Sequence, residues 1–260
     1  MFARQTAFIL RSFIAALILA AGFAPAVHAG EAFYSLQPRT VSVKAPEAPA
    51  PAAVISEPGS RYLSQSELQV SGFPAPPAAG SAGDKADLAA VLQWQKDRTE
   101  AQCAAAMAQS DESYLSFFGG VNPFPVPLPP EAGAFFKRVG ADVGDAARNI
   151  KKTYKRERPF VRSAEVQPCL GRVQGLSYPS GHAAVARVYA LVLSGLLPRQ
   201  GAIFNRAADQ AALNRVIGGV HYPADVDAGK KLGDLLFSKL RRNPAFAADM
   251  SALSKYIRRQ

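Results

Sequence analysis

The chain has 260 residues, with 30 Lys and Arg against 20 Asp and Glu, three His and two Cys, and a formal charge of +10. Such a length can bury one sizeable core, and 48% hydrophobic with 19% charged residues is a globular composition rather than a disordered or fibrous one. The basic excess points to an anionic partner: nucleic acid, an anionic membrane surface or a phosphorylated substrate.

Arg4 and Arg11 flank the start of an apolar run over 13–21, and Val27-His28-Ala29 offers small residues where a signal peptidase cuts. Residues 1–29 are therefore expected to be a secretory leader, its apolar run too short for a membrane span. The mature chain is expected to be periplasmic or secreted, with no transmembrane segment. Without Arg4 and Arg11 its charge is +8 (10 − 2). Residues 30–83 are rich in Pro and Ala, with PEAPAPAA and FPAPPAAGSAG as the clearest runs. This composition predicts a flexible arm that wraps the domain or stays mobile, and the folded domain is expected over 84–260.

From 88 to about 107 the sequence reads as one helix, and a Pro- and Gly-rich loop, FGGVNPFPVPLPPEAG, then resets the chain. Phe135, Phe136, Val139, Val143, Ala147 and Ile150 recur at steps of three and four, predicting a helix over 131–154. Further helices are expected over 184–196, 203–217 and 224–240. There is no βαβ rhythm, no alternating strand and no internal repeat, so the fold class is all-α, a helical bundle. Cys103 and Cys169 suit an oxidising compartment as a disulfide, and two free buried thiols remain the alternative, since sequence does not give their distance. The terminal basic residues Lys239, Arg241, Arg242, Lys255, Arg258 and Arg259 read as solvated surface.

Residues 177–183, SYPSGHA, stand apart, together with His221 behind Gly218-Gly219-Val220. A lone histidine is more often structural than catalytic, but these two lie in turns beside small residues. The apolar stripe Val185, Val188, Tyr189, Val192 and Leu193 predicts a buried helix starting near Ser180 or Gly181. His182 then occupies its first turn, where free N–H groups suit an anion and Gly181 lets it come close. Ser180 can cap that helix and can also donate its hydroxyl.

Three patterns occur in order: K-x6-R-P from Lys151 to Arg158-Pro159, P-S-G-H at 179–182, and R-x5-H-x3-D from Arg215 through His221 to Asp225. Together they resemble the phosphatidic acid phosphatase type 2 superfamily, over roughly 84–240. That superfamily includes bacterial class A acid phosphatases, lipid phosphate phosphatases and vanadium-dependent haloperoxidases, and the chain most resembles the class A enzymes. The resemblance implies an all-helical domain with one phosphate or vanadate site at helix ends. It further implies that His221 is a nucleophile forming a phosphohistidine, and that His182 protonates the leaving oxygen and then activates water.

The residues themselves fit that chemistry. Guanidinium groups engage phosphate oxygens in paired bonds and a lysine adds a compact charge, roles open to Lys151, Arg158 and Arg215, with Ser180 and the Gly181 N–H completing the cradle. Asp225 can bond one ring nitrogen of His221, fixing its tautomer. Asp227 misses the pattern and reads as a solvated or capping carboxylate. The pattern departs from the family at Asn214, where serine often precedes the arginine, and at Leu176 and Ala183 around the histidine motif.

The function expected is an exported, metal-independent acid phosphatase acting on small phosphate esters, without a cofactor, although phosphate or vanadate can occupy the site. Alternatives are a vanadium-dependent haloperoxidase, a lipid phosphate phosphatase and a non-catalytic anion- or nucleic-acid-binding module. A metal site at His182, His221 and Asp225 is disfavoured by the ring of cations, and neither a CxxC motif nor a phosphate-binding P-loop is present. No specific nucleic-acid partner is expected, and a homo-oligomer is left open.

Overall fold

The computed structural model describes residues 61–257. The leader over 1–29 with His28, the first part of the arm, 30–60, and Arg258 and Arg259 lie outside the described residues. Among the described residues the regular structure is all helical. The chain runs through α1 (Gln65–Leu68), α2 (Ala82–Asp97), α3 (Glu100–Ala108), α4 (Tyr114–Phe118) and α5 (Pro130–Tyr154). It continues through α6 (Pro159–Arg162), α7 (Gly181–Leu196), α8 (Gly201–Ile217), α9 (Pro223–Leu240) and α10 (Pro244–Ala252). None of these helices is long and apolar enough to cross a membrane.

The central element is α7, which packs against α5, α8 and α9. Its residues Ala183 to Ala186, Val188, Tyr189, Ala190, Val192 and Leu193 are all buried, so it is apolar nearly all round, as a helix surrounded by others must be. The stripe predicted for α5 faces this core, from Phe135 to Ile150. Tyr189 donates a hydrogen bond to the Phe136 carbonyl at 2.6 Å, which pays the desolvation of a phenol buried in that seam.

Close packing of α9 on α7 is set by glycines. A Cβ at Gly229 would collide with the Ser180 carbonyl, and one at Gly233 would stand 2.9 Å from the Ala184 carbonyl. The two helix starts that carry the histidine motifs are thereby drawn together.

Three expectations change. The helix expected from 88 to 107 is broken at Arg98, because Thr99 forms a capping box with Gln102 that starts α3 afresh. Arg98 uses the break to reach the Ile217 carbonyl at 2.8 Å. Part of the expected flexible arm, 61–83, is built into the fold: Tyr62, Leu63, Leu68, Val70 and Phe73 are buried in the main core. The Pro and Ala residues between these anchors mask them in a composition argument, and Asp142 fixes the strap by accepting the Tyr62 N–H at 3.0 Å. Third, Lys239, expected on the solvated surface, is half-buried and donates to the Glu67 carbonyl at 2.6 Å, while Arg241, Arg242 and Lys255 are exposed as expected and the tail forms α10, whose Phe246 is fully buried.

Cys103 and Cys169 form a disulfide, with Cα atoms 5.9 Å apart, joining α3 to the loop before α7. A bridge closing a loop of this size contributes about 2–4 kcal/mol.

Candidate active site

Each functional side chain is placed by the end of a helix. At the start of α7, Ser180 is the N-cap, its hydroxyl accepting the Ala183 N–H at 3.3 Å, and His182 follows in the first turn. At the end of α8, the Arg215 carbonyl accepts the N–H groups of Val220 (3.1 Å) and His221 (3.2 Å). The turn between them carries Gly219 at φ 76, a conformation that side-chain-bearing residues rarely adopt, and so delivers His221 beside Arg215. Lys151 lies in the last turn of α5, after which Lys155 in the left-handed region turns the chain toward Arg158.

These ends surround a cavity of about 180 Å³ whose lining includes Lys151, Arg158, Gly181, His182, Arg215 and His221. Six of the eight predicted residues therefore meet in one pocket. Asp225 stands behind it, fully buried, with Nδ1 of His221 at 3.2 Å from its Oδ2. Ser180 is also fully buried, and its hydroxyl serves the helix cap, the first of the two roles open to it.

The histidine is held on both sides. The same Asp225 Oδ2 accepts the Ser177 hydroxyl at 2.5 Å and the Tyr222 N–H at 3.0 Å. Nε2 of His221 faces the pocket, 3.2 Å from Arg158 Nη1. Nδ1 is thus the protonated nitrogen and Nε2 carries the lone pair. Burial, with Lys151 and Arg158 adding to it, pushes His221 well below the usual histidine range despite its bond to Asp225. Burial alone would raise Asp225, but His221, Arg156 and Ser177 outweigh it and hold the carboxyl below its ordinary value. The pair is therefore a neutral imidazole against a carboxylate.

The cations are unequally satisfied. Lys151 donates to the carbonyls of Leu176 (2.7 Å) and Ser177 (2.9 Å). Arg158 donates to Gly175, Gln174 and Val220 carbonyls. Arg215 differs: it is 3% exposed, and its Nε and Nη1 have no hydrogen-bond partner. Such a buried donor pair costs about 1–3 kcal/mol or more unless something accepts from it. Burial and then the neighbouring Arg158 push Arg215 down to about 10, and the same two causes bring Lys151 down to about 7. A bound anion would relieve all of these at once.

Two charged partners of the site, Glu112 and Arg156, were not legible in sequence. Glu112, from the loop before α4, places Oε1 2.7 Å from Nδ1 of His182, and the Ser110 carbonyl lies 2.7 Å from Nε2. Both ring nitrogens face acceptors, and because a carbonyl can only accept, Nε2 carries a proton toward Ser110. Glu112 leans over Gly181 and remains 41% exposed. Arg156 is the second, donating to Asp225 Oδ1 at 2.9 Å. Asn214 does not reach the pocket's cations; it donates to Gln109 at 2.7 Å and accepts from Gln210 at 2.8 Å, steadying the segment that carries Ser110. Asp227 is exposed, as expected. Among the described residues no group of three or more His, Cys, Asp and Glu is arranged to hold a metal ion.

Residues 141–238 match the family model of the PAP2 superfamily. A non-specific acid phosphatase of Salmonella typhi is 38% identical over 118 residues, 43% of this chain and 46% of that protein. The chain thus spans about half the length of the curated relatives it first matches. An acid phosphatase of Zymomonas mobilis is 26% identical over 212 residues, 78% of this chain and 80% of that protein. Among solved structures, a transmembrane PAP2-type phosphatidylglycerolphosphate phosphatase from Bacillus subtilis has a TM-score of 0.47 at 22% identity, covering 70% of this chain and 90% of that one.

Proposed function

From the match of residues 141–238 to the PAP2 superfamily model, we propose that this protein is an exported, metal-independent acid phosphatase that cleaves small phosphomonoesters through a phosphohistidine. One observation carries the reading: a buried, unpartnered Arg215 stands in the same pocket as Lys151, Arg158 and two histidines. Donors placed in this way suit the oxygens of an anion, and the histidine lone pair beside them suits an electrophilic centre.

In this reading the phosphoryl oxygens take the free donors of Arg215, the Lys151 ammonium and an Arg158 N–H turned from His221. Nε2 of His221 attacks phosphorus and forms a P–N bond as the P–O bond to the alcohol breaks. The electron pair of that bond leaves on the alcohol oxygen, which takes a proton from Nε2 of His182 in exchange for the Ser110 carbonyl. Asp225 supports the positive charge left on the His221 ring. Water then attacks phosphorus, giving its proton to His182, and the P–N bond breaks to release phosphate. Donors fixed where charge builds up contribute about 3–4 kcal/mol each.

The test is phosphate release from 4-nitrophenyl phosphate near pH 6 with excess EDTA, alongside His221→Ala. Turnover that survives the chelator and is lost in the variant supports the reading. Loss to the chelator, or an active H221A protein, rejects it. Export is tested separately, by finding the processed chain outside the cytoplasm of a cell expressing the full sequence.

A further inference from the structure

We propose that Arg156 is a positioning residue for the His221–Asp225 pair, and that α2, through Asp84 and Asp87, holds it in place. The inference rests on the reading of His221 as the nucleophile. Arg156 falls on one of the unspecified positions of the K-x6-R-P pattern, and Asp84 and Asp87 are outside the family-matched segment 141–238.

The guanidinium is used as a fork. Nη1 donates to Asp225 Oδ1 at 2.9 Å, while Nη2 lies 2.8 Å from Asp87 Oδ2 and 3.2 Å from Asp84 Oδ1. The plane rests on the Tyr222 ring, 4.0 Å from its centroid. Asp87 also accepts the Ala224 N–H at 3.1 Å, one residue from Asp225, so α2 grips the start of α9 twice. Asp84 is itself fixed by the Gly80 N–H at 2.8 Å and by Arg162 at 2.6 Å. A lysine could supply the charge but not two directed arms.

The division of labour at Asp225 makes this more than a structural ion pair. Oδ2 serves Ser177, Tyr222 and His221, and Arg156 supplies the hydrogen bond at Oδ1. Without that bond the carboxylate is free to turn, and Oδ2 loses its aim at Nδ1. Nε2 then loses its aim into the pocket. Charge points the same way: three carboxylates, Asp84, Asp87 and Asp225, face two guanidiniums, Arg156 and Arg162. The cluster is one negative charge in excess, which matches the positive charge His221 gains when phosphorylated.

A cavity of about 460 Å³ opens on the far side of Arg156, lined also by Asp84, Arg162, Tyr154 and Tyr222. It gives a small cation a route to the vacated position, so chemical rescue is available. The experiment compares wild type, Arg156→Ala, Arg156→Lys, Asp87→Asn and His221→Ala with 4-nitrophenyl phosphate, measuring kcat, KM, the inhibition constant of inorganic phosphate, and recovery by millimolar guanidinium chloride. The expected result for R156A is a kcat loss of about 100-fold, the scale of a misplaced reacting group. Phosphate inhibition should stay within about threefold of wild type, since ground-state binding is not what Arg156 governs. Guanidinium should restore part of kcat in R156A and nothing in H221A.

A folded R156A protein with wild-type kcat overturns the inference, as does joint loss of kcat and phosphate binding that guanidinium leaves unchanged. If R156A does not fold, R156K and D87N decide: each should lower kcat with phosphate inhibition intact, and wild-type kcat in both overturns the inference. An active H221A protein instead rejects the nucleophile reading, whereas an inactive H221A beside a fully active R156A rejects the role of Arg156 alone.

Discussion

Glu112 and His182 stand 2.7 Å apart at the pocket, with the carboxylate on Nδ1 and the Ser110 carbonyl on the other ring nitrogen. Burial would raise the Glu112 carboxyl, but the hydrogen bond and charge of His182, then Arg215 and Lys151, hold it below the usual range. An ionised Glu112 thus aims a proton-bearing ring. If His182 serves the leaving group, its partner matters most when that group is poor. Glu112→Gln should lower kcat about tenfold or more for an alkyl phosphate and much less for 4-nitrophenyl phosphate, general acids being worth about 10²–10⁴-fold. Equal losses on both substrates would contradict this.

Arg215 carries a stability prediction opposite in sign to its activity. Its buried Nε and Nη1 are without partners, so Arg215→Met removes a desolvation cost of about 1–3 kcal/mol. In phosphate-free buffer the variant should melt at or above wild type. Phosphate at 100 times its Kd should stabilise wild type by about 2.7 kcal/mol and leave R215M unmoved. Differential scanning calorimetry with and without phosphate reads both effects.

Lys151 sets a pH limb. Burial first, then Arg158, brings it down to about 7 against the pull of Asp225 and Glu112. Below that pH the free protein presents an ammonium to a phosphate dianion, and above it a neutral amine. The expected kcat/KM therefore falls as pH rises through about 7, while bound phosphate moves the same limb of kcat to higher pH. His221 lies well below 6.5, so loss from its protonation comes at lower pH. Lys151→Met should be weaker throughout and lack the limb near 7.

The α7–α9 seam predicts a costly small substitution. Gly229→Ala drives a methyl into the Ser180 carbonyl and against Ala183, and overpacking costs about 1–3 kcal/mol. Because the seam joins the two histidine-bearing helix starts, activity should fall in protein that remains folded by circular dichroism. Gly120→Ala, with open space at its Cβ position, is the control and should leave both unchanged.

Much of this site was legible one residue at a time. Lys151, Arg158, His182, Arg215 and His221 were found because the three patterns that carry them together resemble those of a known superfamily, and the structure brings all five to one cavity. Arg156 was hidden among neighbouring cations, since nothing local distinguishes a guanidinium that reaches Asp225, 69 residues away, from a solvated one. Glu112 was hidden in a polar loop for the same reason.

The amino-acid sequence by itself determined the helical periods, the caps at Ser180 and the turn before His221, because these depend on neighbours within a few residues. It also determined which cations and histidines were candidates. The tertiary structure alone decided that Tyr62 to Phe73 join the core and that Cys103 bonds Cys169. It also decided which oxygen each donor of Arg156 meets. Those outcomes depend on burial and on direction between distant segments, and neither is encoded in any single stretch of chain.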